Sequence, residues 1–365
     1  MATVHNTVTD KFFYLLQVAS GRQLNDEIEI AAHEWEVIYE MACKQSLAGF
    51  IFKSLEELSK YGQKPPVNLL FEWIGLREQI KQQNEILDQQ CAQLSRWFSV
   101  RNYMSCILKG QGVAKLYPEP DSRQPGDIDI WVNGKREVIV KELKNNHIGV
   151  NQVDYVDSHV SFFTATEVEV HFRPTWMFNP FVNIKVQRWI RQNKDTQMSN
   201  YDKELEFCYP TIGFNLVFSL IHIYRHVFFE GIGLRQLTDY YYILTHSTEG
   251  ARGEAYKTLQ SFGLQKFVAT VMYIMRRVFN IDEKLLLCTP NMTEGEFLLS
   301  EILRGGNFGH FDDRITRISD EHRWRKGLEN AKRNLRFLIH YPNEVIWIPG
   351  WKLWHWCWRK CNGYL

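Results

Sequence analysis

Asp127 and Asp129, two residues apart in Gly126-Asp127-Ile128-Asp129-Ile130-Trp131-Val132, are the side chains of this sequence best spaced to do chemistry. The run alternates at period two, so a strand here puts both carboxylates on one face and Ile128 and Ile130 on the other. Two carboxylates side by side repel each other unless a cation sits between them. Hard divalent ions such as magnesium take oxygen ligands, commonly one or two protein carboxylates together with substrate phosphates. The pair therefore suits a magnesium site shared with a phosphorylated substrate.

The elements that must hold this pair lie on either side of it. Cys106-Ile107-Leu108 is a short apolar run ending at Lys109-Gly110-Gln111-Gly112, and 113–117 reads as a brief helix stopped by Pro118 and Pro120. That order is strand, tight glycine turn, helix start. A polar loop with one arginine, Arg123, leads into the aspartate strand. Beyond it, 134–145 predicts a helix, and 147–150, 161–164 and 167–172 predict short strands, which together make a small mixed sheet. In the last run, alternation sends Glu167, Glu169 and His171 to one face and the two valines to the other. An ordinary exposed sheet face alternates in the same way. The upstream glycine turn and aspartates are what turn this face into a candidate metal-side wall.

Taken in order, Leu108-Lys109-Gly110, Leu116-Tyr117-Pro118, Arg123, Gly126-Asp127-Ile128-Asp129 and Glu169-Val170-His171-Phe172-Arg173 resemble the uncharacterised nucleotidyltransferase family of the polymerase-beta-like superfamily. The likeness is close over 108–173 and weaker towards the C-terminus. It implies an α+β fold with a small mixed-sheet nucleotidyltransferase core flanked by N-terminal and C-terminal helical regions. It also implies a glycine turn that holds a nucleoside triphosphate (NTP), paired aspartates that bind magnesium, and a third carboxylate on a neighbouring strand.

Glu167 and Glu169 compete for that third place; they stand about 6.6–6.8 Å apart along a strand and cannot both reach one ion in one register. Glu169 is chosen because it directly precedes Val170-His171-Phe172-Arg173, the part that resembles the family. On this reading Lys109 and Arg123 neutralise triphosphate oxygens, and the amides around Gly110 and Gly112 cradle them. Asp127, Asp129 and Glu169 hold one or two magnesium ions while a nucleoside monophosphate moves to an acceptor hydroxyl. The acceptor (small molecule, protein or RNA) and the base of the NTP are not encoded in these residues. Two other classes compete: a non-catalytic nucleotide- or partner-binding protein on the same fold, and a nucleic-acid-binding module.

The chain of 365 residues is long enough for two or three domains. It divides into an N-terminal helical region (1–98), the nucleotidyltransferase core (99–175) and a C-terminal helical domain with a basic aromatic tail (176–365). A net charge of +1 gives no global argument for nucleic acid or acidic partners, so any such argument must be local. The seven cysteines are scattered and form no C-x-x-C pair, which fits reduced thiols in a cytoplasm. The sequence starts without a basic segment followed by a long apolar core, and no run reaches the roughly 18 apolar residues of a spanning helix. A cytoplasmic protein with no transmembrane segment is expected.

Outside the core the period is helical. Trp73, Leu76, Ile80, Asn84, Leu87, Cys91, Leu94 and Phe98 form one stripe along a long helix, with Asn84 its only polar member. Such a stripe packs on a domain; the rival reading is a coiled coil. In the long apolar stretch 214–229, His222 and His226 lie at i and i+4, as zinc ligands can, but no glutamate follows to complete a metalloprotease motif. Satisfied structural histidines are the plainer reading. Arg235 and Asp239 share the same spacing and read either as an intrahelical ion pair or, by the family resemblance, as residues facing the nucleotide or acceptor.

Arg304-Gly305-Gly306-Asn307-Phe308-Gly309-His310 lacks the lysine and Ser/Thr of a P-loop and reads as an interhelical loop. Between Glu321 and Cys361, nine Lys/Arg stand against three Glu among Trp324, Trp347, Trp351, Trp354, Trp356 and Trp358. This tail could stack on single-stranded nucleic acid, sit at a membrane interface, or simply pack its tryptophans on the domain.

Overall fold

The period-two stretches of the sequence meet in one five-stranded mixed sheet, with order β1-β2-β5-β4-β3. Its strands are β1 (Ser105–Leu108), β2 (Ile128–Val132), β3 (Gly149–Val153), β4 (Asp157–Ser161) and β5 (Val168–His171). Only β2 and β5 run parallel; the other pairings are antiparallel. The computed structural model describes residues 7–24, 28–312, 314 and 335–364. With helices flanking this sheet, the fold is α+β. The strand expected at 161–164 lies earlier, because Phe162 leaves the sheet to pack edge-on against Trp97, with ring centroids 5.5 Å apart.

Alternation sorts the sheet into two faces. Ile107, Ile128, Ile130, Val168 and Val170 pack with Leu87, Cys91, Leu94 and Phe98 of helix α4 (Val67–Ser99) and with Ile139 and Leu143 of α6 (Arg136–Asn145). Cys106, Leu108 and Trp131 belong to the core on the opposite side. Asp129 shares the Trp131 side of β2 by the same period, so the apolar face is what aims the carboxylate away from α4.

The long stripe on α4 is buried as expected, with Leu76 partly so: Leu87, Cys91, Leu94 and Phe98 pack on the sheet, while Trp73 joins the helical core and its Nε1 donates to the Ala48 carbonyl (2.8 Å), so the stripe is shared between sheet and helices rather than forming a coiled coil. Its polar member has a definite task. Asn84 Nδ2 donates to the carbonyls of Ile80 (3.1 Å), Asp121 (3.0 Å) and Arg123 (2.8 Å), pinning the loop that enters β2. Removing it leaves two loop carbonyls without that donor, so Asn84→Ala should lower stability by about 1–3 kcal/mol. Urea denaturation checks this; an unchanged midpoint would mean that the loop holds itself.

Helices α1 (Val8–Ala19), α2 (Ala32–Lys44) and α3 (Ala48–Ser59) share one apolar core with α8 (Ile212–Phe229), α9 (Leu234–Thr245), α11 (Gln265–Phe279) and α12 (Met292–Gly305). Two buried glutamines stitch the early and late parts together. Gln17 Nε2 donates to the Val278 carbonyl (3.0 Å), and Gln45 Nε2 to that of Ile302 (3.1 Å). Gln45 Oε1 also accepts from the backbone of Leu234 (2.9 Å), at the first turn of α9. Among the described helices only α8 is long and apolar enough to cross a membrane, and 67% of that stretch is buried inside the fold. A helix apolar nearly all round is also what the centre of a large helical core requires.

Candidate active site

The parallel pairing of β2 and β5 sets Asp129 directly opposite Glu169. On the other side β1 pairs Leu108 with Asp129, so Lys109 leaves its strand beside the same carboxylate. Lys109 and Gly110 both take positive φ (49° and 35°), which turns the chain sharply from β1 into the short helix α5 (Gly110–Ala114). That turn brings Lys109 Nζ to 2.8 Å from Asp129 Oδ2. From β5, His171 Nε2 lies 2.6 Å from Asp129 Oδ1 and 3.3 Å from Glu169 Oε2.

Asp129 is 3% exposed, with one cation on each oxygen. Burial works against the charge on His171, but its bonds to Asp129 and Glu169 overcome this and lift its pKa to about 10. Lys109 is likewise held protonated against burial by Asp129, Asp127 and Glu169. Burial opposes ionisation of Glu169 too, yet the His171 partner pulls its pKa down. Asp127, just before β2, lines the cavity beside them. Glu167 also lines it, but lies outside β5 and is exposed. His171, which period two places with Glu169 on the candidate metal-side wall, faces Asp129 from that wall.

The loop carrying Asp127 is gripped from α9. Arg123 donates through Nε and Nη2 to the two oxygens of Asp239, both at 2.8 Å, and Tyr117 Oη adds a third bond to Asp239 Oδ1 (2.8 Å). One turn away, Arg235 Nη1 donates to the carbonyls of Gln124 (3.1 Å) and Pro125 (3.4 Å). Arg123 and Lys109, expected to neutralise triphosphate oxygens, each pair with an aspartate in this structure. Arg235 and Asp239 do not pair with each other along their helix; each holds the loop 123–125. Gly112 is off the cavity wall, and its missing side chain is a packing matter. A Cβ there would lie 2.9 Å from the Ile107 carbonyl oxygen and 3.0 Å from Tyr209 Cβ.

The cavity above this cluster has a volume of about 850 Å³. Helix α8 walls it with His222, Arg225 and His226, one face at i, i+3 and i+4. The histidines, read from sequence as structural, lie with ring centroids 4.2 Å apart. Burial, aided by nearby Lys109, pushes both of their pKa values down. The glycine-rich stretch is more than a connection, because Asn307, Phe308 and His310 reach the cavity.

The far wall comes from the C-terminal helix Ile348–Cys361. Trp351 stacks on Trp176 (4.0 Å, 13°) and His355 on Trp351 (4.6 Å, 17°), so the inner tryptophans pack on the domain. Glu321 and Trp324 of the basic aromatic tail lie outside the described residues. Near this wall Asp154, Asp157 and His159 form a second group whose ligand atoms lie within 4.8 Å of one another.

Paired aspartates and a third carboxylate on a neighbouring strand, next to a glycine turn, are what the likeness to polymerase-beta-like nucleotidyltransferases implies. The chain belongs to the uncharacterised nucleotidyltransferase family, whose model matches residues 31–280. That match takes in the whole carboxylate cluster, α8 and α9, and ends before the glycine-rich loop and the C-terminal helix. No curated protein matches the chain.

Proposed function

We propose that this nucleotidyltransferase moves a nucleoside monophosphate from an NTP to an acceptor hydroxyl in a magnesium-dependent reaction, supplied with NTP in the cytoplasm. What carries the reading is the register that sets Asp129 opposite Glu169, with Asp127 two residues before on the same side. The donor set fits a hard cation. It offers carboxylate oxygens and no thiolate, and Lys109 and His171 supply the positive charge those oxygens need while no divalent ion is bound. Asp127, Asp129 and Glu169 would hold magnesium, which when bound neutralises phosphate oxygens and makes the acceptor oxygen a better nucleophile.

The remaining work falls to positioning and charge. Lys109 is placed to shift from Asp129 to a phosphate oxygen once a divalent ion takes its place, and the turn at Gly110 brings backbone close to the same point. Arg235 uses one terminal nitrogen on loop carbonyls, and its Nε has no hydrogen-bond partner, which leaves donors for an anionic group. Arg123 and Asp239 are positioning residues on this reading, holding the loop that aims Asp127. A cavity of this size accommodates a nucleotide.

Thermal unfolding with NTPs, with and without magnesium, tests the binding half. At about 100 times the dissociation constant an NTP should add roughly 2.7 kcal/mol, and only when magnesium is present. Asp127→Asn/Asp129→Asn should lose that response; a double variant that responds like wild type puts the site elsewhere. Incubation with radiolabelled nucleotides and a cell lysate then shows which acceptor becomes labelled.

A further inference from the structure

We infer that the outer face of the C-terminal helix, together with the exposed start of α7 (Pro180–Met198), docks on an anionic lipid bilayer. Leu353, Trp356 and Lys360 recur at helical spacing along one stripe, Ile346 lies in the turn just before the helix, and all four are exposed, Leu353, Trp356 and Ile346 at 65%, 51% and 64%. Trp347 meets Phe181 with ring centroids 5.9 Å apart, which carries the apolar surface across to α7. There Phe181 and Ile184 are exposed, and the same stripe continues as Arg188 and Arg191. Neither arginine has an acidic partner among the described residues.

Charge decides what this surface fits. The exposed cations of these two segments are Lys185, Arg188, Arg191, Lys352 and Lys360, whereas Arg359 turns to the cavity beside Asp154 and Lys194 pairs with Asp195. Scattered exposed apolar side chains are ordinary, but a contiguous apolar patch rimmed by one sign of charge is not. An interfacial helix pairs Trp and Leu with Lys and Arg, the apolar groups entering the acyl boundary while the cations meet lipid phosphates. A single-stranded nucleic acid would use the tryptophans and cations but offers nothing to Ile184, Ile346 and Leu353, which have no ring to stack.

The opposite face of the same helix lines the cavity through Trp351, His355 and Arg359. Docking would thus bring this wall of the cavity to the bilayer surface, and with it an acceptor held there. That last step rests on the transfer reading above, whereas the docking itself does not.

Flotation of the purified full chain with phosphatidylcholine vesicles, with and without phosphatidylglycerol, tests the surface apart from any nucleotide chemistry. The protein should float with the anionic vesicles and stay behind with the neutral ones. Leu353→Glu/Trp356→Glu should reduce partitioning at least about tenfold. Arg188→Gln and Arg191→Gln should each reduce it roughly fivefold at low salt. Thermal midpoints like that of wild type would show that the fold of the variants is intact. Wild type that stays behind with both vesicles, a glutamate variant that floats equally well, or tighter capture by a single-stranded RNA oligomer than by anionic vesicles would each overturn the proposal.

Discussion

Glu169→Gln should abolish magnesium-dependent transfer and leave the fold intact, while Glu167→Gln should keep most of the activity. Glutamine preserves the shape of the side chain on β5 and removes the charge that faces Asp129 across the parallel pair. Partners that merely support a metal ligand cost about 10–100-fold when removed, so a direct ligand should cost at least about a hundredfold. Folding should survive because Asp129 keeps both of its own cations, Lys109 at 2.8 Å and His171 at 2.6 Å. Glu167 lies outside the strand and is exposed, so its charge is solvated whether or not an ion is present. Transfer rates on both variants, with thermal midpoints as the folding control, decide the matter. An inactive Glu167→Gln beside an active Glu169→Gln would mean that the ligand assignment is wrong by one pair of residues.

The same strand shows which parts of the site are legible in sequence. Period two is a local property, so the shared face of Glu169 and His171 and the buried faces of Ile128 and Ile130 can be read directly from the letters. Register between β2 and β5 is not local: the valines on both sides of Glu169 need the apolar face and so fix its face, but only the fold sets it opposite Asp129. What sequence could not supply was the partner of each cation. Arg123 and Asp239 are 116 positions apart, and nothing in their neighbours announces a pair. The i and i+4 spacing of Arg235 and Asp239 instead suggested a contact that the fold replaces with two separate grips on one loop. Asn84 looked like an interruption in an apolar stripe and turned out to hold that loop from the other side. The tail posed the opposite problem: its composition was plain, but whether its tryptophans packed or protruded depended on Trp176, far away in the chain.

Arg123→Ala should unfold the protein more easily by about 3–5 kcal/mol, the usual effect of removing one partner of a buried ion pair. The side chains of Arg123 and Asp239 are 5% and 12% exposed, joined by two parallel bonds of 2.8 Å. Burial disfavours the guanidinium charge, yet Asp239 raises the Arg123 pKa above its ordinary value, so Arg123 stays charged in the folded chain. Without Arg123, Asp239 keeps the Tyr117 hydroxyl and the nearby charge of Arg235 but loses its fork. Arg123→Lys keeps the charge and not the planar geometry, and should fall between alanine and wild type. Arg123→Ala/Asp239→Ala should be less destabilised than the sum of the single changes, because the second substitution removes the orphaned carboxylate. Denaturant midpoints of the four proteins measure that coupling. If Arg123→Ala unfolds like wild type and loses only nucleotide affinity, then Arg123 touches phosphate directly and its bond to Asp239 is incidental. If the coupling is large and nucleotide affinity falls in proportion for either single variant, the pair acts by holding the Asp127 loop in place.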